Sequence, residues 1–162
     1  YTELLTGAAS PSDEQRMYSE LEKTAYLKST GYFRDIPGEE VFYIAQVAEE
    51  QHLADGESLF EDGDPGHSLY AVIEGEILLH KGGREVNRTP PLELLGEMGI
   101  INQAPRSLGA VAVGPTILLR ISEEDFLHIL ETRADVMKGV MRQVMQRLDR
   151  LTNLYAEALS EG

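Results

Sequence analysis

The spacing of hydrophobic and polar positions changes twice along the chain. From Pro11 to about Thr30 a largely polar segment carries Met17, Leu21, Tyr26 and Leu27 at near-helical intervals, which predicts an amphipathic helix with a narrow buried stripe. A sharper start follows at Asp35-Ile36-Pro37-Gly38, where a proline and the carboxylates Glu39 and Glu40 favour the amino end of a helix. Val41, Ile44, Ala45 and Ala48 then recur every three or four residues, so the spacing predicts a helix to about Glu50 with Glu49 and Glu50 in water.

Between His52 and Ser122 the period shortens. Runs rich in β-branched and aromatic residues predict strands over Ser58 to Glu61, Ser68 to Ile73, Glu76 to His80, Glu85 to Asn87, Leu92 to Leu95, Ala110 to Val113 and Thr116 to Ile121. Turn chemistry that favours tight reversals separates most of them, at Asp55-Gly56, Asp62-Gly63-Asp64-Pro65-Gly66, Glu74-Gly75, Gly82-Gly83 and Gly114-Pro115. Short strands at this spacing point to a mainly β, α+β fold built on a small antiparallel barrel or jelly roll. Helices do not alternate with the strands, which disfavours a doubly wound parallel sheet.

The last third is helical again. Ser122 reads as a cap ahead of Glu123, Glu124 and Asp125, and a long helix begins at about Ala134. In it Met137, Met141, Val144, Leu148, Leu151, Tyr155 and Ala158 alternate at spacings of four and three, a heptad seam, with Val136, Val140 and Met145 along a second edge. Two readings stay open. The seam packs on the chain's own barrel as a lid over a pocket, or its outer part pairs with a second copy, a use that suits its adaptable methionines.

Composition narrows the function. The 162 residues suit one compact domain, and 28 acidic against 14 basic residues give a net charge of −14, so nucleic acids and anionic membrane surfaces are poor partners. With no cysteine there are no disulfides, thiolate chemistry or cysteine metal sites, and the cytoplasm is the expected compartment. No apolar run approaches the roughly 20 residues that cross a bilayer, and no signal-peptide pattern is seen. A first residue of Tyr1 suggests a piece of a longer protein. His52, His67, His80 and His128 lie singly, against a metal site. Acidic clusters such as Glu123-Glu124-Asp125 read as solvated helix starts, and with no nucleophile beside them the chain is not expected to be an enzyme. Asn87-Arg88-Thr89 spells a glycosylation acceptor but reads as a chance match.

Candidate chemistry is concentrated in Leu95-Gly96-Glu97-Met98-Gly99 with Pro105-Arg106-Ser107, a glycine-flanked short helix inside strand territory. Gly96 and Gly99 let backbone amides approach an anion, and Arg106 supplies the forked donors that a phosphate prefers. Glu97 suits a sugar hydroxyl standing clear of that anion. Alternatively, Glu97 and Arg106 form a buried ion pair that joins the short helix to the barrel.

These residues, together with Gly63-Asp64-Pro65-Gly66-His67-Ser68-Leu69-Tyr70-Ala71-Val72-Ile73-Glu74-Gly75-Glu76-Ile77, closely resemble the cyclic-nucleotide-binding domain family, and most of all its bacterial catabolite-activator branch. The resemblance covers roughly residues 25 to 150. It implies a jelly roll over 25–133 with a phosphate-binding cassette at 95–110, preceded by a helical extension over 1–24 and followed by a lid or dimerisation helix over 134–162. It further implies that Glu97 binds the ribose 2′-hydroxyl, that Arg106 pairs with the cyclic phosphate, and that Gly96, Met98, Gly99 and Ser107 complete the site. The ligand would be cAMP or cGMP, with no further cofactor, and a residue near Arg142 to Leu148 would cap the base. The module would be a sensor that signals through its last helix to an attached or partner domain, such as a transporter, channel or repeat scaffold; the alternative is a degenerate, non-binding jelly roll that serves dimerisation or protein interaction. A DNA-binding segment is not expected here, because only eleven residues follow Leu151. Two positions depart from the family pattern. Leu108 replaces a small residue and would crowd the pocket, and Thr89-Pro90-Pro91-Leu92-Glu93 replaces a glycine-aspartate turn.

Overall fold

The computed structural model describes residues 18–161. In chain order the elements are α1 (Glu20–Lys28), α2 (Gly38–Val47), β1 (Glu49–Leu53), β2 (Ser58–Phe60), β3 (Ser68–Lys81), β4 (Arg84–Thr89), β5 (Leu94–Leu95), α3 (Glu97–Asn102), β6 (Gly109–Ser122), α4 (Glu123–Thr132) and α5 (Ala134–Glu161). All strand pairs are antiparallel, in the order β1-β6-β3-β4, with β2 on β6 and β5 on β3. This is the jelly-roll arrangement expected, except that the hydrogen-bonded path is open and does not close as a barrel. Among the described residues no helix is long and apolar enough to cross a membrane.

The strand period of two sends alternate side chains into two cores. From β3, Leu69, Ala71 and Ile73 pack beneath the helices with Phe33, Ile44, Phe126 and Val136, whereas Tyr70, Val72 and Ile77 fill the inner face with Leu53, Leu95 and Ala110. From β6, Leu119 and Ile121 take the first side and Leu118 the second. Burial on both faces explains the unbroken apolar runs Tyr70 to Ile73 and Thr116 to Leu119.

The expected hairpins at Glu74-Gly75 and Gly114-Pro115 do not form. Both turn signals lie opposite one another on the same ladder, so each bends a continuous strand: the β3–β6 register shifts between Val72 and Glu74 and again before Glu76. Gly75 has a φ of 80°, and a β-carbon there would lie 2.5 Å from both the Pro115 carbonyl oxygen and the Thr116 hydroxyl. Gly75→Ala is therefore expected to cost about 2 kcal/mol or more, read as a lower midpoint in urea unfolding.

Three further differences have local causes. The expected helix to Glu50 ends at Val47, because Glu49 to Leu53 pair with Arg120 to Thr116 as β1. Glu50 is consequently not in water: its side chain is only 4% exposed, and its carboxylate accepts from the Tyr18 amide at 2.7 Å and faces the His52 Nε2 at 2.8 Å. In α1, Ser19 and Glu22 cap the start reciprocally, Leu27 is buried, and Leu21 faces solvent instead of joining a stripe. The expected start at Pro11 and the stripe position Met17 lie outside the described residues. Thr89-Pro90-Pro91-Leu92-Glu93 does alter the approach to the last short strand, since Leu92 adopts a φ of 70°, a left-handed conformation costing about 1 kcal/mol, and β5 shrinks to Leu94–Leu95.

The start of α4 is as expected, with the Ser122 hydroxyl accepting from the Asp125 amide. In α5 the two apolar edges separate. Val136 and Val140 are buried with Gly139, where a β-carbon would approach the Ile36 Cδ1 to 2.9 Å. The heptad seam faces outward at Met141, Leu148, Leu151 and Tyr155, each more than half exposed, and so does Met145.

Candidate ligand site

The cassette is held from three directions. The Arg106 amide donates to the Asp64 carbonyl at 2.7 Å, and the Arg106 carbonyl accepts from the Gly63 amide at 2.7 Å, so the acidic turn before β3 clamps its backbone. The Ala104 amide donates to the Gly99 carbonyl at 3.0 Å, closing the far end of α3. Gly96 opens α3 at a φ of 94°, where a β-carbon would lie 2.7 Å from the Arg106 Nη1 and 2.9 Å from the Ser68 carbonyl oxygen. Only glycine brings strand and arginine this close.

Arg106 is 7% exposed and has no carboxylate within ion-pair distance among the described residues. Its Nη2 donates to the Ser68 carbonyl at 2.5 Å and its Nη1 to the Gly96 carbonyl at 3.3 Å, while its Nε is buried without a partner among the described residues. The guanidinium lies 4.3 Å from the centroid of the Phe60 ring. Burial pulls its pKa below the ordinary arginine value, though the charge persists at neutral pH. Two carbonyl dipoles and an aromatic ring offset only part of the cost of burying this cation.

Glu97 is 2% exposed and does not pair with Arg106, so the expected alternative of a structural ion pair between them is not formed. Instead its Oε1 accepts from the Tyr32 hydroxyl at 2.5 Å and from the Arg147 Nη1 at 2.7 Å, and Oε2 accepts from no described residue. Burial, reinforced by the charge of Glu97, raises the Tyr32 pKa, so this phenol remains a donor across the physiological range. Burial works against the charge on Arg147, but Glu97 and Tyr32 outweigh it and hold its pKa above the ordinary value. Arg147→Ala would strand a buried carboxylate and is expected to lower stability by about 1–3 kcal/mol, read as a drop in melting temperature that Arg147→Lys partly restores.

Gly96, Glu97, Gly99, Arg106 and Ser107 all line one cavity of about 440 Å³ with Phe60, Leu79, Asn87, Thr89, Glu93, Leu108 and, from α5, Arg147 and Arg150. Such a volume suits a small organic ligand. Met98 lies in α3 between the lining residues. Leu108 is half-buried in the wall and leaves the cavity open. The Ser107 carbonyl also accepts from Lys81 at 3.1 Å. Sequence reasoning missed Tyr32, which arrives from 65 residues away with no local signal, and Phe60, a strand residue like any other until its ring is seen beside Arg106. Arg147 falls within the stretch of α5 expected to face the site, but it reaches the carboxylate.

A buried guanidinium, a separate carboxylate and a glycine-opened short helix thus line one cavity in the wall of a jelly roll. The chain belongs to the cyclic nucleotide-binding domain family, whose pattern matches residues 50–133. It is 32% identical over 139 residues to the cyclic AMP receptor protein of Thermus thermophilus, across 83% of this chain and 64% of that protein. It is 30% identical over 118 residues to the cAMP-dependent protein kinase regulatory subunit of Hypocrea atroviridis, across 72% of this chain and 24% of that subunit. The chain thus spans less than two thirds of either relative. Among solved structures it resembles the N-terminal domain of a transcriptional regulator from Streptomyces coelicolor, with a TM-score of 0.70, 28% identity, and coverage of 80% of this chain and 94% of that one.

Proposed function

We propose that this chain is a sensor module that binds cAMP or cGMP and passes occupancy through α5 to an attached or partner domain. The observation that carries the reading is Arg106, a buried guanidinium with no ion-pair partner among the described residues, which lines the 440 Å³ cavity with Glu97 beside it. A cyclic phosphate supplies the missing anion, and the free Glu97 Oε2 accepts from the ribose 2′-hydroxyl. Gly96, Gly99 and Ser107 line the cavity around the phosphate, and Met98 belongs to the short helix between the two glycines. The relatives that are named for cAMP support this choice of ligand.

Transmission follows from the shared carboxylate. Glu97 holds α5 through Arg147, so a ribose hydroxyl on Glu97 changes the free energy of that tether. Ligand moves α5 by as much as its affinities for the tethered and released arrangements differ. The outward heptad seam is the surface that feels the change, and a second copy of α5 fits it because equal repeats on both helices interlock. With a net charge of −14, any contact with nucleic acid falls to another segment or partner, and a cytoplasmic setting supplies the nucleotide.

Calorimetric titration of the purified chain with cAMP and cGMP tests the reading. Saturable binding of at least one nucleotide at one site per chain is expected. Heats of dilution alone, for both at millimolar concentration, would overturn it.

A further inference from the structure

With the phosphate on Arg106 and the sugar on Glu97, the cavity retains a third wall to which no role has been given. The ladder pairs Leu79 with Asn87 and Ile77 with Thr89, which puts Asn87 and Thr89 on the same inward face of β4, two residues apart. Arg88 between them turns outward to Glu76 and Glu85. Thr89 is only 5% exposed, yet its hydroxyl has no hydrogen-bond partner among the described residues and opens on the cavity. The Asn87 carboxamide lines the same wall and is likewise without a partner among the described residues.

The apolar surroundings of this wall are Leu79 and Leu108. Leu108 comes to them because Gly109 pairs with His80 and the Ser107 carbonyl accepts from Lys81, so the strip 106–108 leads from the guanidinium directly toward the end of β3. The charged lining residues lie elsewhere: Glu93, Arg147 and Arg150 gather with Tyr32 around a neighbouring cleft of about 250 Å³, on the sugar side. A flat ring extending from the sugar onto Leu79 and Leu108 therefore meets a neutral amide and a hydroxyl at its edge.

Resting on the cyclic nucleotide reading, we infer that Asn87, supported by Thr89, reads the base and makes the site prefer adenine to guanine. A carboxamide both donates and accepts, which matches the N7 acceptor and N6 amino donor of adenine. Guanine offers two acceptors, N7 and O6, along that edge, and these call for a guanidinium or ammonium, whereas β4 lines the cavity with Asn87 and Thr89 and turns Arg88 away. Thr89 adds one hydroxyl, able to donate or accept, at the inner end of the wall.

The test is calorimetric titration of the wild-type chain, Asn87→Ala and Thr89→Val with cAMP, cGMP and 7-deaza-cAMP. Wild type should bind cAMP roughly 10-fold or more tighter than cGMP and lose most of that margin on 7-deaza-cAMP, as one lost bidentate contact implies. Asn87→Ala should weaken cAMP by about the same factor, leave cGMP unchanged and become indifferent to deazation, the coupling that a structural role would not produce. Thr89→Val should weaken cAMP by a smaller factor. Asn87 is exposed on a terminal strand of the sheet, and an unchanged melting temperature confirms the fold of its variant. If wild type binds cAMP but Asn87→Ala keeps the same ratio of affinities, or if wild type prefers cGMP, the assignment of Asn87 is overturned and the cyclic nucleotide reading stands. If wild type binds neither nucleotide, both fall.

Discussion

Replacing Arg106 by alanine is expected to weaken cyclic nucleotide binding by roughly 100-fold or more, since truncating one partner of a buried charge pair costs about 2–5 kcal/mol. The same substitution should barely change the stability of the unliganded chain. In that state the guanidinium has no ion-pair partner and its Nε no acceptor among the described residues, so the burial cost relieved by its removal offsets the two carbonyl hydrogen bonds and the ring contact forfeited. Thermal unfolding with and without ligand separates the two effects. At a concentration 100 times the dissociation constant, ligand adds about 2.7 kcal/mol to the wild type, a rise of roughly 5–10 °C for a chain of this size. Arg106→Ala should keep its unliganded melting temperature within a few degrees and lose that rise. A large fall in the unliganded protein would mark Arg106 as structural.

The double variant Leu148→Glu with Leu151→Glu is expected to convert a dimer into a monomer. Both leucines are more than half exposed, fall on adjacent heptad positions and continue a seam through Tyr155. In a paired helix each buries an apolar side chain worth about 1.5–3 kcal/mol per chain, so placing charge at both should raise the dimer dissociation constant by more than about 100-fold. Sedimentation velocity at tens of micromolar reads the change directly. The variant should still bind nucleotide, because neither Leu148 nor Leu151 lines the cavity. A wild type that sediments only as monomer contradicts the seam's assignment to a second copy.

Much of the site was legible because it is local. Gly96, Glu97, Gly99, Arg106 and Ser107 lie within twelve consecutive positions, and the glycines, helix start and arginine each carry a short-range reason for their place. What the residues do there was not legible. The partners of Arg106 include the Ser68 carbonyl, 38 positions away, and Glu97 is met by Tyr32 and Arg147 from opposite ends of the chain. Whether Glu97 pairs with Arg106 therefore depended on packing that spacing does not encode.

The fold shows the same division. Strand positions were found from β-branched and aromatic runs, but Glu74-Gly75 and Gly114-Pro115 were read as reversals because a turn signal on one strand does not reveal that another faces it. The α2–β1 boundary was missed because Ala48-Glu49-Glu50 has no strand preference of its own, and pairing with β6 decides it. For α5 both apolar stripes were visible. Gly139, between Val136 and Val140, was the available sign of the buried one, since it lets the helix approach Ile36. Likewise Ser19 and Glu22 spelled the true start of α1.

The most direct test of the central claim is a crystal structure of the chain grown with cAMP. A phosphate oxygen is expected within hydrogen-bond distance of the Arg106 guanidinium, with the ribose 2′-hydroxyl on the Glu97 carboxylate. An unchanged cavity at millimolar nucleotide, or a nucleotide bound with its phosphate away from Arg106, would contradict it.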